Sequence, residues 1–188
     1  MHGLSCSIEK SMTITFHSDG RIIKNGRDLN GSLKMIDQWR RTSNVNLNNN
    51  EDFLTTNWER IDGSGQGTYI PDGGMTESGG IFTFPLTGIY RVEWQCYFEE
   101  TGSAAQCAAN VYVTTDNSSY TNMASSLTSI SDQSPYSYGN AHCQTLVDVT
   151  DTSQVKVKFR VFSNGSVAMD SSSSTNRNCA TFTYIGQT

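Results

Sequence analysis

In the stretch Tyr90-Arg91-Val92-Glu93-Trp94-Gln95-Cys96-Tyr97-Phe98, the even positions are all apolar. Arg91, Glu93, Gln95 and, one step further, Glu99 occupy the other parity. A period of two puts the first set on one face of a β-strand and the second on the opposite face, so one face meets a core and the other meets water. Toward the C-terminus the same pattern returns. Ala109, Val111 and Val113 alternate, as do Val155, Val157, Phe159 and Val161 against Lys156, Lys158 and Arg160. Ala180-Thr181-Phe182-Thr183-Tyr184-Ile185 gives a last strand. Asn164-Gly165 reads as a hairpin turn leading into Val167-Ala168-Met169, because that dipeptide tolerates positive φ. No helical period is evident. The reading is an all-β antiparallel sandwich of six to eight short strands.

Working toward the N-terminus, residues 62–80 contain seven glycines and read as turns, with at most a short strand near Thr68–Ile70. Residues 42–52, Thr-Ser-Asn-Val-Asn-Leu-Asn-Asn-Asn-Glu-Asp, read as a linker or surface loop. Residues 11–17 alternate again, with Met12, Ile14 and Phe16 in phase, followed by Asp19-Gly20 and Asn25-Gly26. Residues 11–29 are therefore expected to form a small β-meander, too small to be stable unless it packs on something else. The division expected is an N-terminal β arm over residues 1–35 and a sandwich domain over residues 36–188.

Composition agrees with this architecture and narrows the function. Of 188 residues, 16% are charged and 10% aromatic, and Ser, Thr and Asn make up roughly a third. Aromatics at that level with little charge argue against disorder. No apolar run reaches the length of a membrane span. Met1-His2-Gly3-Leu4-Ser5-Cys6 has neither the basic nor the apolar region of a signal peptide. The five cysteines (Cys6, Cys96, Cys107, Cys143, Cys179) are odd in number and form no CxxC pair, so reduced, buried thiols are expected. The net charge of −5 is uneven: residues 1–41 carry about +3 and the remainder about −8. The basic excess includes Arg21, Lys24 and Arg27 of the arm, but lacks the interleaved aromatics of a nucleic-acid site.

Residues for chemistry are not assembled by any motif. His2, His17 and His142 have no ligand spacing, and no serine sits in a G-x-S-x-G turn. Glu99 and Glu100 are adjacent on a strand and so point apart. Gly63-Ser64-Gly65-Gln66-Gly67 lacks the Lys of a phosphate cradle. Asp148, Asp151 and Asp170 do not form the spaced loop of a Ca²⁺ site. No catalytic residue, cofactor or metal is assigned, and an enzyme such as a glycan hydrolase is not indicated.

Gly80-Ile81-Phe82-Thr83-Phe84-Pro85-Leu86-Thr87-Gly88-Ile89-Tyr90-Arg91-Val92 resembles the G-x-F-x-x-P-x-x-G-x-Y-x-[FV] signature of C1q/TNF-like jelly rolls, and the strand around Phe182 looks like their closing strand. Physically, Phe82 and Tyr90 would face the core from successive strands, with Pro85 and Gly88 forcing the tight turn between them and Trp94 extending the same face.

The wider chain is similar to virion proteins of marine and cyanobacterial phages. The pieces are Ile36-Asp37-Gln38-Trp39-Arg40, Trp58-Glu59-Arg60-Ile61-Asp62, Gly80–Tyr90, Val113–Tyr120 and Leu146–Thr150. A collagen stalk is missing, so the immune role of the animal proteins is not implied. The resemblance implies a jelly roll, a homotrimer, and a non-enzymatic place in the virion, assembled in the host bacterial cytoplasm. The leading expectation is a capsid decoration (cement) protein. Its arm (Met12, Ile14, Phe16, Arg21, Lys24, Arg27) would dock on the major capsid protein or another virion protein. The alternative is a tail-fibre tip or receptor-binding protein that takes host-surface glycans on loops such as 116–140. Neither nucleic acid nor membrane is expected as a partner.

Overall fold

A computed structural model describes residues 13–16, 22–24, 27–28, 33–71, 73–101, 106–130 and 137–188. The chain divides into two compact units between Leu33 and Lys34. Among the described residues there are fourteen strands and no helix.

The first unit holds β1 (Ile14–Phe16), β2 (Ile22–Lys24) and β3 (Arg27–Asp28), antiparallel in the order β1-β2-β3. Pairing sets Ile14 opposite Lys24 and Phe16 opposite Ile22. Residues directly opposite in an antiparallel pair share a face, so Ile14, Phe16, Ile22 and Lys24 lie together.

The second unit contains β4 (Ile36–Arg41), β5 (Val45–Phe53), β6 (Trp58–Arg60), β7 (Thr76–Ser78), β8 (Ile81–Thr83), β9 (Gly88–Glu100), β10 (Cys107–Thr114), β11 (Thr121–Thr128), β12 (Tyr138–Val149), β13 (Lys156–Met169) and β14 (Cys179–Gly186). One layer runs β12-β9-β14-β4-β6. The other is built on β13, with β10 and then β11 on one side and β8 and β5 on the other. The layers join where Val167–Met169 pairs with Glu100–Phe98. All these pairings are antiparallel, and the architecture is a jelly-roll sandwich.

Between the layers lies an aromatic core. Phe82, Trp94, Phe159 and Phe182 are fully buried. Their rings meet at 5.0 Å (Trp94–Phe159), 5.2 Å (Phe82–Phe182) and 5.4 Å (Phe82–Phe159). Tyr90 packs on Phe84 at 4.7 Å and donates its hydroxyl to the Leu86 carbonyl at 2.9 Å, tying β9 to the 85–87 turn. Two glycines of the signature are required by space as well as by backbone. Gly80 has φ +78°, and a Cβ there would lie 2.2 Å from the Leu54 carbonyl oxygen. Gly88 has φ +137°, with the Gly186 carbonyl 2.6 Å from where a Cβ would sit.

Three local expectations change. Residues 42–52 are not a linker: Val45–Phe53 forms β5, paired along β13. The alternation Val45, Leu47 gives it a partly buried side, and an unpaired stretch of β13 supplies the hydrogen bonds that the Asn-rich sequence would not seek alone. Asn164-Gly165 is not a hairpin. β13 runs through it, and the dipeptide becomes an irregularity in register between Ser163 and Ser166. The stretch 116–140 is not all loop, since Thr121–Thr128 forms β11 along β10 and β12 begins at Tyr138. The strands are also more numerous and longer than expected, β9 reaching 13 residues and β13 reaching 14.

Candidate functional site

The alternation that buries Tyr90, Trp94 and Phe98 turns Ile89, Arg91, Glu93, Gln95, Tyr97 and Glu99 of β9 outward. Register then places the neighbours. From β12, His142 stands opposite Gln95, Gln144 opposite Glu93 and Leu146 opposite Arg91. From β14, Thr181 stands opposite Glu93 and Cys179 opposite Gln95. Gln38 and Arg40 of β4 continue these rows. One broad outward face results.

Its middle is polar. Arg91 Nε lies 3.2 Å from one Glu93 oxygen, and His142 Nε2 lies 3.9 Å from the other. Gln38, Glu93, Gln95, His142, Asn176, Cys179 and Thr181 line a shallow cavity of about 290 Å³. Its rim is apolar: Tyr138 (49% exposed), Leu146 (64%) and Ile185 (57%). Tyr97 and Tyr138 stack at 5.5 Å, and Arg177, itself paired with Asp170, covers the Tyr97 ring at 5.4 Å.

The geometry offers a carboxylate and an imidazole side by side, but no activated nucleophile. Burial pushes the Cys179 thiol up to about 11, so at neutral pH it is not a thiolate. Cys143 is raised likewise to about 11 by burial, and Cys96 is driven well above its ordinary range. Cys96, Cys107, Cys143 and Cys179 are free and buried, and Cys6 lies outside the described residues. Among the described residues no three His, Cys, Asp or Glu side chains converge as a metal site. Asp151 caps its own turn through Ser153, and Asp170 is taken by Arg177.

Of the arm residues, Ile14 is 42% exposed and Phe16 76% exposed, while Lys24 is half-buried. Arg27 stands opposite Lys24 in the register. Met12 and Arg21 lie outside the described residues, as do His2 and His17. Phe82, Tyr90, Trp94 and Phe182 lie in the core, with Pro85 in the β8–β9 turn and Gly88 at the start of β9. Signature residues build the interior of the jelly roll, and of the arm residues that are described, Ile14 and Phe16 are exposed apolar side chains. The Glu93–His142 approach was hidden in the sequence, because alternation shows that both face outward but not that β12 is the neighbour of β9.

The fold has counterparts among solved structures. Murine APRIL at pH 5.0 matches with a TM-score of 0.54 at 10% identity, covering 80% of this chain and 98% of that one. An Eiger TNF from S. frugiperda matches with a TM-score of 0.58 at 11% identity, covering 84% and 96%. No protein-family model and no curated protein matches the sequence. The likeness is one of fold, and it makes this chain an all-β, antiparallel jelly roll of the C1q/TNF-like kind.

Proposed function

We propose that the protein is a non-enzymatic structural component of a phage virion: a homotrimeric decoration protein whose N-terminal arm attaches it to the shell. The observation that carries this reading is the arm itself. The strands described there, of three, three and two residues, cannot offset their own ordering entropy, yet Phe16 is largely exposed and Ile14 partly so. An apolar face beside Lys24 fits a partner surface that is apolar and acidic, which supports docking on a capsid or other virion protein. The virion itself is supported by the resemblance of the five pieces within residues 36–188. Self-association is supported by the apolar rim of Tyr138, Leu146 and Ile185 on the β12-β9-β14-β4 face, the kind of surface that three-fold packing would cover.

Attachment of this type works by mass action and multivalency. Three arms on one trimer must release together before the trimer leaves. Removing residues 1–33 should leave a folded jelly roll that no longer decorates particles lacking the native protein, as read by quantitative gel analysis of purified particles. Full occupancy by the truncated chain would refute the arm's role, and unfolding of the jelly roll would show that the arm belongs to its core.

A further inference from the structure

The other layer of the sandwich presents a different outward face, built by register from three strands. Asn110 of β10 stands opposite Arg160 of β13, which stands opposite Phe53 of β5. One step along, Tyr112 stands opposite Lys158. Tyr120 approaches from the turn before β11, its ring centroid 4.0 Å from the Lys158 ammonium. The Phe53 centroid lies 3.9 Å from the same ammonium, and the Arg160 guanidinium covers Tyr112 at 4.9 Å. Phe53 and Tyr112 meet edge to face at 5.1 Å.

Two features of this cluster are left open. The first is charge. Arg160 is paired with Glu51, but among the described residues no carboxylate pairs with Lys158. Burial lowers its pKa. The second is hydrogen bonding. Asn110 is 3% exposed; its Oδ1 accepts from Asn122 and Ser125, but its Nδ2 is out of solvent and donates to nothing. Arg160 Nε and the Tyr120 hydroxyl are likewise buried without partners. Two of these atoms are donors and the third can donate, so what the face lacks is an acceptor, and what Lys158 lacks is an anion.

The number of open charges limits the ligand. One unpaired ammonium beside one satisfied ion pair fits a single anionic group. The chain from residue 42 onward carries about −8, which opposes a nucleic acid or another dense polyanion. The three half-buried rings fit a ligand with an apolar ring face next to its charge. We propose that this outward face of β5, β10 and β13 binds an acidic sugar residue, with its carboxylate on Lys158, its ring against Tyr112 and Tyr120, and the covered Asn110 and Arg160 donors turning out to the carboxylate as it binds. It lies on the opposite layer from the face assigned to self-association, so it stands or falls independently of the trimer and of the arm.

Isothermal titration of the full chain with trigalacturonate, galactotriose, sulfate and oligothymidylate tests this directly. Trigalacturonate should saturate one site per chain, with galactotriose and sulfate each binding about tenfold more weakly or worse. Lys158→Met should cost about tenfold or more in affinity, while Lys158→Arg, which keeps the charge, should restore most of it. Melting curves of both variants keep loss of binding distinct from loss of fold. If Lys158→Met fails to fold, Lys158→Arg together with Asn110→Asp, which sets a carboxylate where the acceptor would sit, carries the test, and the Asp variant should not bind. The proposal is overturned if trigalacturonate does not bind saturably, if the neutral trisaccharide or sulfate alone binds as tightly, if oligothymidylate binds with equal affinity, or if folded Lys158→Met binds unchanged.

Discussion

Asp116 shows how a single side chain closes a strand connection. Its Oδ1 accepts from the backbone N–H groups of Ser118 at 2.9 Å and Ser119 at 2.7 Å and from the Thr114 hydroxyl at 2.8 Å, while Asn117 beside it takes φ +56°. These bonds, to the Ser119 amide first, hold the carboxyl down to about 2 from an ordinary 3.8. A carboxylate lowered in the folded state contributes stability that is full above about pH 3.8 and is lost as pH falls through about 2. Asp116→Ala should therefore melt lower than the parent protein at neutral pH, with the gap closing as the pH is taken toward 2. A gap that stays constant over that range would show that the charged form of Asp116 is not what the turn uses. In the core, Trp94 presents the opposite case, a residue valued for volume. It is fully buried, and its indole N–H has no partner. Trp94→Ala should cost about 3–5 kcal/mol in urea unfolding, while Trp94→Phe should cost clearly less because no hydrogen bond is lost. Equal losses from both would mean that volume is not what this position supplies. Of the two, Trp94 was legible, because its phase is written in adjacent positions. Asp37 was not. It is fully buried and held by Arg60 at 3.1 Å and the Met75 amide at 2.7 Å, partners 23 and 38 positions away that no local pattern can indicate.

At the level of elements, β5 and β13 show where local signals give out. Asn-rich composition argues for a loop at 45–53, but a strand also forms wherever a neighbour offers an unpaired edge, and β13 offers one along Arg160–Met169. Asn164-Gly165 carries a genuine turn propensity that β13 absorbs without turning. The reason lies in Ser163, whose fully buried hydroxyl donates to the Gly165 carbonyl at 2.9 Å and accepts from the Gly165 amide at 3.1 Å. These bonds satisfy the backbone groups that the irregularity removes from the ladder, so the strand continues and its register with β5 shifts. Ser163→Ala should lower stability by about 1–2 kcal/mol through a reduced urea midpoint at unchanged slope. No loss would mean that water or a shifted ladder replaces the serine equally well. The signature segment behaved differently because its information is steric. Gly80 and Gly88 take positive φ and Tyr90 bonds four residues back, so a short stretch of sequence suffices to specify them, although the backbone that crowds the two glycines, at Leu54 and Gly186, lies far outside it.

The molecule as a whole brings these scales together in one question, which face meets another copy. The outward face of β12-β9-β14-β4 combines a polar centre around Glu93 and His142 with an apolar rim, and Leu146 is the most exposed large hydrophobic on it. Leu146 points away from the core, so replacing it should leave the subunit fold intact, and any effect on assembly can be read cleanly. A chain of 20.7 kDa in a trimer should sediment at about three times that mass. Leu146→Asp places a carboxylate where the rim would be desolvated, and burying an unpaired charge is costly. The variant should therefore sediment as a monomer with an unchanged circular dichroism spectrum. Leu127→Asp, at a comparably exposed position on β11 in the other layer, should leave the trimer intact. If the parent chain is itself monomeric at micromolar concentration, the assembly reading is wrong. If Leu146→Asp remains trimeric while Leu127→Asp dissociates, subunits meet through the β11 side instead, and the acidic-sugar face on that layer would lie beside the interface rather than across the molecule from it.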